Sequence, residues 1–307
     1  MDRDYFFRSI RQTLYKGGVP QSAVEALDLF LDDTDGKGYP AEHVAYMLAT
    51  AYHEVGPGLV PKRESLNYSV AGLLSTFGRH RISEADARRL GRKPGEKSVP
   101  LARQKEIANT IYGGEWGKLN LGNTEPNDGW DYRGGGYPQA TGRANFARLA
   151  MLTNVPLTAE PHRITEPAVA AIATIEAMTV GLYTGKALSD YHLPAQFAAA
   201  RAIINADVKK NGEKIAGHAR HFLTALNAGK YEPRRLVVDA AKPRPKVVPK
   251  PEPKPALEVE VTPEGGKVSA SPTTAGLILA GLAAAGVAAY NWLAAFPCEY
   301  LNLFCGN

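Results

Sequence analysis

The sequence predicts a mostly α globular domain over residues 1–230, followed by a Pro-rich linker over 231–272, a single membrane-spanning helix over 273–296 and a short tail over 297–307. Three observations carry this reading. In the first 230 residues, apolar side chains recur at helical spacing and few stretches alternate with period two. Nine prolines then fall between Glu232 and Pro272. Beyond them, residues 273–296 contain no charged side chain.

The first segment, MDRDYFFRSIRQTLY, carries Asp2, Arg3, Asp4, Arg8 and Arg11 with no apolar run between them, so it does not read as a secretory signal. Phe6, Ile10 and Leu14, four apart, predict an amphipathic helix. QSAVEALDLFLDD and EHVAYMLATAYHEV show the same periodicity, and EPAVAAIATIEAMTVGLY from Glu166 is apolar enough for a buried helix. PAQFAAARAIIN and EKIAGHARHFLTALN are also expected to be helices, with long irregular loops at 56–66 and 113–140. The run KPRPKVVPKPEPKP forms neither helix nor sheet, because proline lacks the N–H and fixes φ. It is expected to act as an extended spacer.

In 273–296, nine alanines and three glycines make the span weakly hydrophobic, while Tyr290 and Trp292 suit an interfacial belt. Small residues four apart, such as Ala280, Ala284 and Ala288, would let two such helices approach closely and self-associate. Lys254 and Lys267 precede the span and the tail has no Lys or Arg, which favours the large domain in the cytoplasm and the short tail outside. The two cysteines, Cys298 and Cys305, both lie in the tail, where they could pair; a disulfide scaffold and a cysteine-rich zinc fold are excluded. With 36 Lys+Arg against 31 Asp+Glu, the net charge of +5 is too thin and too spread for nucleic acid, which is not expected as a partner, but suits an anionic wall polymer.

The chemistry-bearing residues fall in two stretches. In 51–69, a helix ending at Gly56-Pro57-Gly58 puts Met47, Ala51 and Glu54 on one stripe, so a carboxylate is aligned with an apolar face. Burial keeps a proton on a carboxyl, which general-acid catalysis needs. His53-Glu54 is not a zinc-protease motif, because position 57 is Pro where a second His is required. Glu64 follows ten residues later, and two carboxylates flanking a scissile bond are what glycoside hydrolysis uses. The second stretch, 122–149, mixes glycines, amides and the aromatics Trp130, Tyr132 and Tyr137, as a carbohydrate cleft does. Gly134-Gly135-Gly136 lacks the following Lys-Ser/Thr of a phosphate loop.

Taken in order, HE…ESLNYS, IANTIYGG and NTEPNDGWDYRGGGYPQATGRANF resemble glycoside hydrolase family 19, and more narrowly its phage endolysins and chitinase-like lysozymes. YMLATAYHE and RAIIN…EKIAGHARHFLTAL extend the resemblance over roughly residues 5–228. It implies a lysozyme-like bilobal fold and inverting hydrolysis of a β-1,4 bond to an N-acetylated aminosugar. The family's general acid falls on Glu54 and its base on Glu64. Its Gln-x-Ser/Thr element falls on Gln139 and Thr141, the hydroxyl holding the attacking water and the amide meeting sugar. Asn145 and Asn205 match its further sugar-contacting asparagines; Tyr68 and Tyr137 are added as candidate substrate-binding rings. The common RGRG appears here as Arg133-Gly134-Gly135-Gly136, IQLTG as Pro138-Gln139-Ala140-Thr141-Gly142, and INGG as Ile204-Asn205-Ala206-Asp207.

The expectation is therefore a bacteriolytic muramidase of the endolysin type, acting on peptidoglycan without metal or organic cofactor. It would be held at the inner membrane by 273–296, cytoplasmic before lysis and acting in the periplasm. Its rivals are a chitinase on chitin oligomers and a non-catalytic, membrane-tethered wall-binding module.

Overall fold

The computed structural model describes residues 1–233. The membrane segment 273–296, the tail 297–307 with Cys298 and Cys305, and all of the linker beyond residue 233 lie outside the described residues. Among the described residues no helix is long and apolar enough to cross a membrane.

The described chain is mostly helical, as its periodicity predicts. In order, α1 (Arg3–Thr13), α2 (Gln21–Lys37) and α3 (Ala41–Val55) precede a two-residue strand β1 (Lys62–Arg63). The helices α4 (Val70–Thr76), α5 (Glu84–Leu90), α6 (Leu101–Tyr112), α7 (Gly114–Leu121) and α8 (Asp128–Asp131) lead to β2 (Gly135–Gly136). The helices α9 (Arg143–Thr153), α10 (Pro167–Val180) and α11 (Val208–Ala228) complete the set, with short 3₁₀ turns between. Local chemistry starts several of them: Asp2, Ser69 and Ser83 each accept a hydrogen bond from an orphan N–H of the first turn.

Three apolar cores organise these elements. The largest gathers Phe6, Phe30, Met47, Ile175 and Phe222 from α1, α2, α3, α10 and α11. A second is built by Leu66, Leu73, Leu90, Ile107 and Ile111 around α4 to α6. A third joins Tyr132, Phe146, Leu149, Leu157 and Ile164. α3 is sequestered over Val44–Ala51, which explains why its central sequence is apolar all round. Truncating a ring such as Phe222 to Ala would cost about 3–5 kcal/mol.

Two expectations change. The stretch 113–140 is not one irregular loop: it contains α7, α8 and β2, whose glycines read as loop punctuation. PAQFAAARAIIN is not an α-helix but a run of turns ending in a 3₁₀ segment, Ala199–Ile203. Its fully buried residues Phe197, Ala200 and Ile203 repeat every three positions, the period at which 3₁₀ side chains align.

Candidate active site

Glu54 occupies the last turn of α3, where Gly56 ends the helix in a conformation with φ +88°. Its side chain is 17% exposed and does not rest in an apolar pocket: Oε1 accepts a hydrogen bond from Arg201 Nη1 at 2.5 Å. Arg201, 4% exposed, comes from the 3₁₀ segment and also grips Asp207, with Nε to Oδ1 at 2.5 Å and Nη2 to Oδ2 at 3.2 Å. Asn211 Nδ2 donates to Asp207 Oδ2 at 2.5 Å. The hydrogen bonds from Arg201 are the main reason that the Asp207 carboxyl sits below its ordinary range. Burial alone would lower the Arg201 guanidinium, but its bonds to Asp207 and Glu54 outweigh that and raise it.

The loop from Glu54 to Glu64 is pinned at two points. Ser22 Oγ donates to the carbonyl of Gly58 at 2.7 Å, and Tyr137 Oη donates to the carbonyl of Leu59 at 3.1 Å. Tyr137 is wholly buried and packs against Phe30 at 5.4 Å. It is therefore a core residue that holds this loop rather than a ring that meets substrate, because no face of it is open.

Glu64 follows β1, which pairs antiparallel with β2 through Lys62 opposite Gly136 and Arg63 opposite Gly135. Its N–H donates to the carbonyl of Gly134 at 2.7 Å, which fixes its backbone against the 133–136 turn. Both carboxylate oxygens are held by phenols: Tyr68 Oη lies 3.2 Å from Oε1 and Tyr112 Oη 2.7 Å from Oε2. Burial, and then the charge of Glu64, push the Tyr68 hydroxyl up to about 12 and Tyr112 higher still, so both remain donors. Tyr68 thus belongs to the site through Glu64.

Gly134 lets Gln139 come close. A Cβ at position 134 would lie 3.0 Å from Gln139 Oε1, 3.2 Å from Glu64 Cβ and 3.4 Å from Glu64 Oε2. The Gln139 and Glu64 side chains thus both border Gly134, and Gln139 Nε2 donates to the carbonyls of Gly136 at 2.9 Å and Lys62 at 3.2 Å. Thr141 Oγ1 donates to the Gln139 carbonyl at 3.0 Å, and Asn145 Nδ2 donates to the Thr141 carbonyl at 2.8 Å. Gln139, Thr141 and Asn145 are thus linked in one strip on the Glu64 side. Asn205 is exposed on the Glu54 side, four residues after Arg201, and its Oδ1 accepts from the N–H of Ala206. The Arg133 guanidinium covers one face of the half-buried Trp130 ring at 3.4 Å.

The Gly135 departure has a physical account. A Cβ there would sit 2.7 Å from Ile164 Cγ2 and 3.2 Å from Arg63 Cδ and Nη1. Arg63, its cross-strand partner, fills that space, with Nη1 donating to the Pro161 carbonyl at 2.9 Å and Nη2 to that of Asp131. Beneath the strip, the fully buried Asp128 accepts from Arg143 Nε at 2.7 Å and Nη2 at 2.5 Å and from the N–H groups of Thr124 and Glu125.

Sequence reasoning missed Arg201, Asp207, Tyr112 and Asp128. Arg201 stood in the RAIIN element, where an arginine amid apolar residues demands a carboxylate partner; nothing in the sequence said which one. Among the described residues no group of three or more His, Cys, Asp or Glu side chains is placed to hold a metal ion.

Over 103 residues the chain is 38% identical to a glycosyl hydrolase family 19 domain-containing protein of Haemophilus influenzae. The chain is similar to a family 19 protein. The aligned stretch is 34% of this chain and 44% of that relative, so the chain spans less than half of the relative's length. No family model matches the chain. The mostly helical fold is consistent with that likeness.

Proposed function

We propose that the protein is an inverting glycoside hydrolase of the endolysin type that cuts β-1,4 bonds in peptidoglycan glycan strands. The observation that carries this is the contrast between the two carboxylates. Glu64 receives a phenol hydroxyl on each carboxylate oxygen, which fixes the plane of the carboxylate and suits a base aimed at one water. Glu54 shares Arg201 with Asp207, which makes two hydrogen bonds to the same guanidinium. Asp207 thus shares the balancing of the buried Arg201 charge, and Glu54 is not its sole counter-ion. Arg201 engages one Glu54 oxygen and leaves the other for the substrate.

In this reading Glu54 protonates the glycosidic oxygen as the bond to the anomeric carbon breaks. Glu64 takes a proton from a water held by Thr141, which attacks the opposite face and inverts the centre. An inverting pair needs about 6.5–9.5 Å between carboxyls to admit that water. Gln139, Asn145 and Asn205 would contact sugar amides and hydroxyls. The mild positive charge suits an anionic wall. We further propose that 273–296 tethers the enzyme to the inner membrane, with the domain cytoplasmic until lysis.

The test is turbidity loss of purified peptidoglycan and of outer-membrane-stripped Gram-negative cells, with mass spectrometry of the reducing-end sugar and NMR of the first-formed anomer. Inverted product from wild type, and none from Glu54→Gln, supports the assignment. Equal lysis by both proteins ends it. Cleavage of chitin oligomers alone would select the chitinase reading.

A further inference from the structure

We propose that Arg81 is a positioning residue for Glu64, acting through Tyr112 to hold the carboxylate in place and aimed at the water. The idea rests on the reading of Glu64 as the base. Arg81 lies between α4 and α5, far in sequence from either carboxylate, and the geometry gives it an unusual seat. Its guanidinium carbon is 4.0 Å from the ring centre of Trp116, 4.8 Å from that of Phe77 and 5.2 Å from that of Tyr112. Nε donates to the Ile111 carbonyl at 2.9 Å, fixing its plane. Three rings from α4's end, α6 and α7 thus wall a cation beside the phenol that holds Glu64 Oε2 at 2.7 Å.

Such walls do two things. They remove competing water, which strengthens the field that Arg81 exerts. They also seat the guanidinium over the Tyr112 ring itself, which couples the position of the cation to that of the phenol. Burial lowers the Arg81 guanidinium, while Tyr112 and Glu64 oppose that change. An arginine kept only for packing would not need to be charged there.

Other charges face Glu64. The charges of Arg133 and Arg63 also act on it, and Tyr68 and Tyr112 are the hydroxyl donors. Arg133 and Arg63 are engaged by backbone carbonyls, of Glu64 and Trp130 for the first and of Pro161 and Asp131 for the second. Among these arginines, Arg81 is the one seated over the ring of a side chain that grips the carboxylate itself.

The experiment follows turnover of purified peptidoglycan against pH for the full chain. Arg81→Gln should move the acidic limb of the profile upward by about half a pH unit to one unit, as a screened charge at this range would. Arg81→Lys should return most of that displacement, and Arg79→Gln, at an exposed neighbouring position, should match wild type. A folded Arg81→Gln with a wild-type acidic limb, or an equal displacement in Arg79→Gln, overturns the proposal. If Arg81→Gln does not fold, Tyr112→Phe decides: it keeps the ring, removes the hydroxyl and should displace the limb the same way, whereas an unmoved limb overturns it. Glu64→Gln separates the two levels. Wild-type turnover in Glu64→Gln would defeat the reading of Glu64 as base and this inference with it. An inactive Glu64→Gln beside an unmoved Arg81→Gln limb would defeat the Arg81 role alone.

Discussion

Arg201 and Glu54, 147 residues apart in sequence, meet through a 2.5 Å hydrogen bond that joins the end of α3 to the 3₁₀ segment before α11. Because Arg201 is almost fully buried and also holds Asp207, its removal would leave two carboxylates without their counter-ion. Arg201→Met should therefore destabilise the domain by about 3–5 kcal/mol, which for this size is a fall of roughly 10 °C in Tm. Thermal unfolding with and without the substitution checks this. Arg201→Met with wild-type Tm and wild-type turnover would show that the ion pair neither supports the fold nor orients Glu54.

Asp128 predicts a purely structural effect. Burial would raise its carboxyl, but the bonds from Arg143 and the N–H groups of Glu125 and Thr124 outweigh that and hold it below the ordinary range. A lowered carboxyl contributes stability that is full above its unfolded value and is lost as pH falls through its folded one. Asp128→Asn should cost about 2–3 kcal/mol at neutral pH, discounted because Arg143 is 32% exposed, and less in acid. Urea unfolding at both pH values measures the difference; an equal cost at both would contradict the electrostatic account.

His218 sets the sign of a second pH effect. Burial, then the charges of His53, Lys214 and His221, hold it down at about 4, against an ordinary 6.5. The unfolded chain thus takes up a proton that the folded chain refuses between those values. Stability is full above about pH 6.5 and falls as pH drops toward 4, by about 1–2 kcal/mol after discounting for solvent. His218→Phe, which keeps a ring against Tyr52 at 4.8 Å, should lose less Tm between pH 7 and pH 4.5 than wild type does. Identical losses would rule His218 out as the source.

Gly135 tests the local account of the missing arginine. With a Cβ only 2.7 Å from Ile164 Cγ2, Gly135→Ala should destabilise by about 1–3 kcal/mol, and Gly135→Arg by more. Calorimetry of the two variants would show it. A stabilised Gly135→Arg would mean that Arg63 does not occupy the space it is assigned.

Much of this protein was legible before any coordinates. Phe6 and Ile10, four apart, are both wholly buried on α1, and the apolar runs of α2, α3 and α10 became core helices as their periodicity required. Glu54, Glu64, Gln139, Thr141 and Asn145 could be named because their motif is local in sequence. PAQFAAARAIIN misled because alanine-rich apolar runs satisfy a 3.6 period and a 3.0 period almost equally well over one or two turns.

By itself the sequence determined the helical class, the stretch in which the two carboxylates lie and the abrupt change in composition after residue 230. These follow from near-neighbour chemistry: spacing, capping and proline content. Only the tertiary structure decided which groups face each carboxylate. It gave Glu54 to Arg201 and Asp207, Glu64 to Tyr68 and Tyr112, and turned Tyr137 from a sugar-facing ring into a loop anchor. The reason is physical. A charge partner or a buried hydroxyl is selected by distance in space, and pairs separated by 48 or 147 residues are joined by packing of whole helices, which no local pattern encodes.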